Sequence, residues 1–146
     1  MRLFLFLVFL APTFAFGASP DLSADSVDVF RVAPRWEERK ATGKMFHAYK
    51  VLAGPRRASL PAGRAITQEL QRVYPVDWPP LRCAFVPRYG IRLHRPSGIV
   101  DVLICPHCGE VHFIMGKRLR VASMSSEILR QLNLLFPDHP LRDDEA

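Results

Sequence analysis

The stretch Tyr89–Met115, YGIRLHRPSGIVDVLICPHCGEVHFIM, decides the fold. Tyr89, Ile91 and Leu93 alternate with Gly90, Arg92 and His94, the period of a half-buried strand. Arg95-Pro96-Ser97-Gly98 is a four-residue turn signal. Ile99 to Ile104 then carries apolar residues on both faces, which is the pattern of a strand inside its sheet. Val111, Phe113 and Met115 alternate with His112 and Ile114, and Gly116-Lys117 turns the chain into Arg118 to Ala122. The expected product is an antiparallel β-meander of about four strands, with Cys105-Pro106-His107-Cys108 at its second turn. Register follows from the first turn. If His94 faces Ile99, Arg92 faces Asp101 and the two form an ion pair. Asp101 is the only acidic residue expected within these strands, and a salt bridge is the reading its apolar neighbours favour.

Working outward, Ser26–Val32 alternates and is rich in β-branched residues, so it reads as a strand. Ala33–Lys44 is charged and punctuated by Pro34 and Gly43, as in a loop or a short helical turn. Met45–Leu52 is a second strand candidate, ended by Ala53-Gly54-Pro55. Ser59 is placed to cap a helix from Pro61 to Tyr74, in which Ala62, Ile66, Leu70 and Val73 recur at helical spacing. Pro75–Pro80 is an extended connection. A last helix, capped by Ser125 or Ser126, sets Ile128, Leu129, Leu132 and Leu135 on one stripe and stops at Pro137. Strands with two helices on one side make an α+β domain.

Residues 1–17 have the layout of a secretory signal peptide: Arg2, a continuous apolar run from Leu3 to Leu10, then small residues at Ala15 and Gly17. Cleavage is expected after Gly17, with Ala15 as the alternative. No later segment is long and apolar enough to span a bilayer. Residues 18–137 form one α+β domain by length, and 138–146 a flexible acidic tail that includes Asp143-Asp144-Glu145. The expected location is periplasmic or extracellular. A domain of this size buries roughly two-thirds of its unfolded surface, so it folds without needing a metal or a disulfide. The net charge is +6, spread over scattered arginines and lysines. Export argues against a nucleic-acid partner. The remaining readings are a solvated surface or adhesion to an anionic envelope component.

The chemistry, if any, sits at the three cysteines. Extending the register past Tyr89 brings Cys83 level with Glu110 and Arg88 level with Cys105, so Cys83, Cys105 and Cys108 cluster at one end of the sheet. Three readings follow. In a thiol-disulfide oxidoreductase, Cys105 and Cys108 form the redox pair, Cys105 is the nucleophile, and His107 and Arg88 stabilise its thiolate. That chemistry is normally carried at a helix N-terminus, and here a strand follows the motif. In a zinc knuckle, Cys83, Cys105 and Cys108 are the metal ligands, with His107, His112 or His139 as a fourth. In a structural cluster there is no cofactor: Cys83 bridges Cys105 or Cys108, or the two cysteines of the turn bridge each other. No phosphate loop, nucleophile elbow or HExxH helix is present.

Three segments carry a resemblance: Phe46-His47-Ala48-Tyr49-Lys50-Val51-Leu52, Cys83-Ala84-Phe85-Val86-Pro87-Arg88-Tyr89-Gly90-Ile91-Arg92, and Val100-Asp101-Val102-Leu103-Ile104-Cys105-Pro106-His107-Cys108. Over roughly Val27 to Leu135 the chain resembles a family of uncharacterised exported bacterial proteins, some of them lipoproteins. Members look like CFxPRHGIR followed by VDxxICFEC. This chain departs at Tyr89, where a histidine is usual, and at Pro106-His107, where Phe-Glu is usual. The resemblance implies fold and compartment and no particular reaction. The expectation is an exported, non-enzymatic module with a structural cysteine cluster.

Overall fold

The computed structural model describes residues 20–74, 83–139 and 141. The expected leader at 1–17, the connection at 75–80 and the acidic end at 142–146 lie outside the described residues. Seven strands form one antiparallel sheet: β1 (Ser26–Val32), β2 (Met45–Phe46), β3 (Tyr49–Arg57), β4 (Tyr89–Arg95), β5 (Gly98–Cys105), β6 (Glu110–Met115) and β7 (Arg118–Ser123). Their spatial order is β2-β3-β1-β4-β5-β6-β7. The helices are α1 (Leu60–Val73) and α2 (Ser126–Leu135), and a 3-10 turn spans Arg35–Lys40. The expected α+β architecture holds, and the meander is β4 to β7.

The sheet is larger than the four-stranded meander because β1 pairs with the free edge of β4, Val29 opposite Ile91, and β3 pairs with β1. Those pairings join segments far apart in sequence, so no local turn signal announces them. Two boundaries also differ. Met45–Leu52 is not one strand: His47 and Ala48 form a turn, with His47 at φ 53°, that folds β2 back on β3. The Ala53-Gly54-Pro55 stop does not stop the chain, because β3 runs on to Arg57. Gly54 lies at φ 101°, and a Cβ there would sit 2.8 Å from the Val29 carbonyl oxygen. The residue types that signal a break are used here for a bulge.

The meander register is the expected one: His94 pairs with Ile99, Arg92 with Asp101 and Tyr89 with Ile104. One face of the sheet is covered by α1 and α2. Val29, Ile91, Val102, Ile104, Val111 and Phe113 meet Ile66, Leu70, Ile128 and Leu132 there, all fully buried or nearly so. Tyr89 belongs to this face, where its hydroxyl donates to Asn133 Oδ1 at 2.6 Å and its ring lies under the Arg31 guanidinium. Ser125, rather than Ser126, caps α2, accepting from the Ile128 amide at 3.3 Å and donating to Glu69 of α1 at 2.8 Å. Ser59 occupies the cap position of α1, but its side chain makes no cap hydrogen bond.

The opposite face carries a smaller apolar cluster of Val32, Phe46, Val51 and Leu103, joined by Phe30, Tyr49, Phe85 and Ile114. It has no helix cover among the described residues. Instead the β2–β3 turn and the segment 83–88 fold over it. This is the face on which Asp101, Leu103 and Cys105 of β5 sit.

Candidate functional site

Pairing of Cys105 with Glu110 closes the β5–β6 hairpin and leaves Pro106, His107, Cys108 and Gly109 as its loop. The Gly109 amide donates to the Pro106 carbonyl at 3.0 Å, which makes this loop a tight turn. β6 follows directly, so no helix N-terminus faces the cysteines. The sequence places CPHC in a turn because Ile104 and Val111 on either side belong to two buried strands.

Cys83 and Cys108 are joined by a disulfide with Cα atoms 5.8 Å apart, within the usual range for such a bridge. Cys105 is a free thiol and is fully buried. The Cys108 amide donates to the Cys105 sulfur at 3.4 Å. The three cysteines therefore meet as expected, although the strand register ends at Tyr89 and it is the irregular segment 83–88 that brings Cys83 there. The pairing is between Cys83 and Cys108, one of the alternatives that the sequence leaves open. His107 is exposed at the tip of the turn, whereas His112 is half-buried. Its ring stacks on Phe85, centroids 3.6 Å apart and planes 9° from parallel, and its Nε2 lies 3.0 Å from Glu110 Oε2. His139 contributes its backbone carbonyl to the buried Arg31. Among the described residues, no group of three or more histidine, cysteine or acidic side chains is arranged to hold a metal ion.

The disulfide has a mechanical role. Residues 83–88 have no strand partner until the Arg88 amide reaches the Ile104 carbonyl at 2.8 Å. Cys83 anchors the other end of this segment, and Phe85 between the two anchors covers His112. Arg88 is buried, its guanidinium 3.7 Å from Glu37 of the 3-10 turn. Burial and the nearby Cys105 sulfur push the Tyr49 phenol above its ordinary value, while Arg35 pulls the other way. Cys105 is thus buried at the base of the turn that carries its neighbour, with the Cys108 amide on its sulfur.

Beside this cluster lies a row of charges that the sequence shows only in part. Arg92 donates to both oxygens of Asp101, each at 2.8 Å, the bidentate geometry expected from the register. The further members lacked any sequence signal for joining it. His47, projected from the β2–β3 turn, reaches Asp101 Oδ2 at 2.9 Å, and Arg92 lies over the Phe46 ring. Asp28 of β1 extends the row, held by Arg57 of β3 and by His94 at 2.8 Å. The row joins four strands, and His47 latches the β2–β3 turn onto β5.

Two expected results follow. Asp101→Asn removes the charge that Arg92 and His47 share at a site only 7 % exposed, so it should cost about 2 kcal/mol. His47→Ala, whose side chain is about one-third exposed, should cost under about 1 kcal/mol. Urea midpoints at neutral pH separate the two, and equal losses would contradict this division. For Asp28, burial raises the carboxyl, but Arg57 and His94 outweigh it and hold it below its ordinary value. A carboxylate lowered on folding stabilises the protein above its unfolded value of about 4. That stabilisation is lost as pH falls through the folded value. Asp28→Asn should therefore flatten the decline of the urea midpoint below about pH 4. An unchanged acid limb would contradict it.

No helix among the described residues is long and apolar enough to cross a membrane. Comparison with protein-family models, with curated proteins and with solved structures finds no match, so the site stands on its own geometry.

Proposed function

We propose that this protein is an exported, non-enzymatic α+β module of the family it resembles, in which the cysteine cluster is a structural fastener. The observation that carries this reading is the Cys83–Cys108 disulfide, which ties the irregular segment 83–88 to the β5–β6 turn. A structural disulfide belongs to oxidising compartments, which supports export to the periplasm or beyond. The CPHC motif lies on a hairpin, where no helix dipole favours the first thiolate, and Cys105 is closed to a protein substrate by burial. The +6 charge suits retention by an anionic envelope component, which would weaken as salt rises.

Mass analysis of the exported chain under non-reducing conditions, with elemental analysis and an insulin-reduction assay, tests the reading. The expected result is an intact Cys83–Cys108 link, no stoichiometric zinc and no reductase activity. One zinc per chain would favour the metal reading through Cys83, Cys105 and Cys108. Insulin reduction lost in Cys105→Ser would favour the oxidoreductase reading through Cys105, Cys108 and His107.

A further inference from the structure

A buried thiol beside a disulfide is a reactive pair that a fastener does not require. Cys105 is fully enclosed, so solvent-borne disulfides do not reach it in the folded protein. One end of the disulfide, Cys108, shares its hairpin turn. The Cys108 amide touches the Cys105 sulfur, and the Cys108 sulfur lies three bonds from its own amide nitrogen. We propose that Cys105 is the resident attacking thiol of a three-cysteine exchange unit, which moves the disulfide from Cys83–Cys108 to Cys105–Cys108 and releases Cys83 as a surface thiol.

The step balances without an external oxidant. Once the segment 83–88 lifts and admits water, Cys105 loses its proton to solvent, and its thiolate attacks the Cys108 sulfur. The bond from Cys108 to Cys83 breaks as the new bond forms, and Cys83 leaves as a thiolate that takes up a proton. One disulfide is consumed and one is made. The released group is suited to further chemistry because Cys83 is half-exposed whereas Cys105 is not.

Tertiary structure controls the position of this equilibrium. In the folded state the anchored segment 83–88 holds Cys83 against Cys108. When that segment detaches, chain statistics take over. The two candidate pairs are 25 and 3 residues apart, and the shorter separation then keeps Cys105 and Cys108 near each other while Cys83 moves away. The exchange therefore reports whether the segment is seated. Anything that lifts Phe85 from His112 drives the disulfide into the turn and exposes a thiol capable of forming a mixed disulfide.

The test uses the oxidised full chain, folded, with a maleimide at about pH 8. Quenching in acid and digestion with trypsin without reduction follow. Cys83 falls in the peptide Cys83–Arg88, and the other two cysteines share Leu93–Lys117. The expected result is label on Cys83–Arg88, released as a separate peptide, with an internal disulfide in Leu93–Lys117. In Cys105→Ala, which has no attacking thiol, Cys83–Arg88 should stay linked and unlabelled. Label on Cys105 with the Cys83–Cys108 link intact would overturn the proposal. So would a folded chain that takes no label while its urea-unfolded form does. Either outcome leaves the fastener reading standing, because that reading needs the link and not its migration.

Discussion

Cys83→Ser is expected to lower the melting temperature by about 10 °C. The bridge closes a chain loop with a sequence separation of 25, and loop-closure entropy for that length gives about 3.5 kcal/mol of stabilisation. For a domain of this size, each kcal/mol moves the midpoint by about 3 °C. Cys108→Ser should behave alike, since either change removes the same link. A Cys105–Cys108 link left behind in Cys83→Ser closes too short a loop to replace it. Cys105→Ala, by contrast, removes only a buried sulfur and should cost about 1 kcal/mol. Calorimetry on the three variants, with the wild type reduced as a fourth sample, checks the ordering. A Cys83→Ser chain that melts with the wild type would remove the fastener from the account of this fold.

Gly90→Ala is expected to cost about 3 kcal/mol and to lift the β2–β3 turn off the sheet. Gly90 sits in β4 directly under Phe46, and a Cβ there would lie 2.6 Å from the ring. The ring has little room to retreat. Phe30 packs against it at 4.6 Å between centroids, and Val32, Val51 and Leu103 share its cluster. Overpacking of this kind costs about 1–3 kcal/mol. Displacing Phe46 also pulls His47 from Asp101, since the two residues are adjacent. The decisive measurement is a double-mutant cycle with Phe46→Ala. Once the ring is gone, Gly90→Ala should cost under about 1 kcal/mol, because the alanine then fills space that the ring has left. The same cost in both backgrounds would show that Phe46 is not the obstacle.

The legible and illegible parts of this protein divide along sequence distance. The meander could be read because each of its strands is joined to the next by a short turn. Arg95–Gly98 sets a register, and the register carries Arg92 to Asp101 without further information. Met45–Leu52 was not legible as two strands, since a histidine at positive φ is no turn signal and is held there by contacts made elsewhere. Nor was the continuation of β3 through Gly54-Pro55, where the break chemistry serves a bulge against β1.

At the cysteines the same division holds. From its residues alone, the chain places CPHC between two strands, because strand period and turn length are local properties, and the expected arrival of Cys83 at that end holds although the segment 83–88 gets there without strand pairing. Which sulfur bonds which was left open, since three cysteines within reach of one another are equivalent to a pattern of residue types. Tertiary structure decided it. Cys105 lies fully buried on β5 at the base of the turn, whereas Cys108 in the turn meets Cys83 of the segment 83–88, a pairing made by the path of that segment over the sheet.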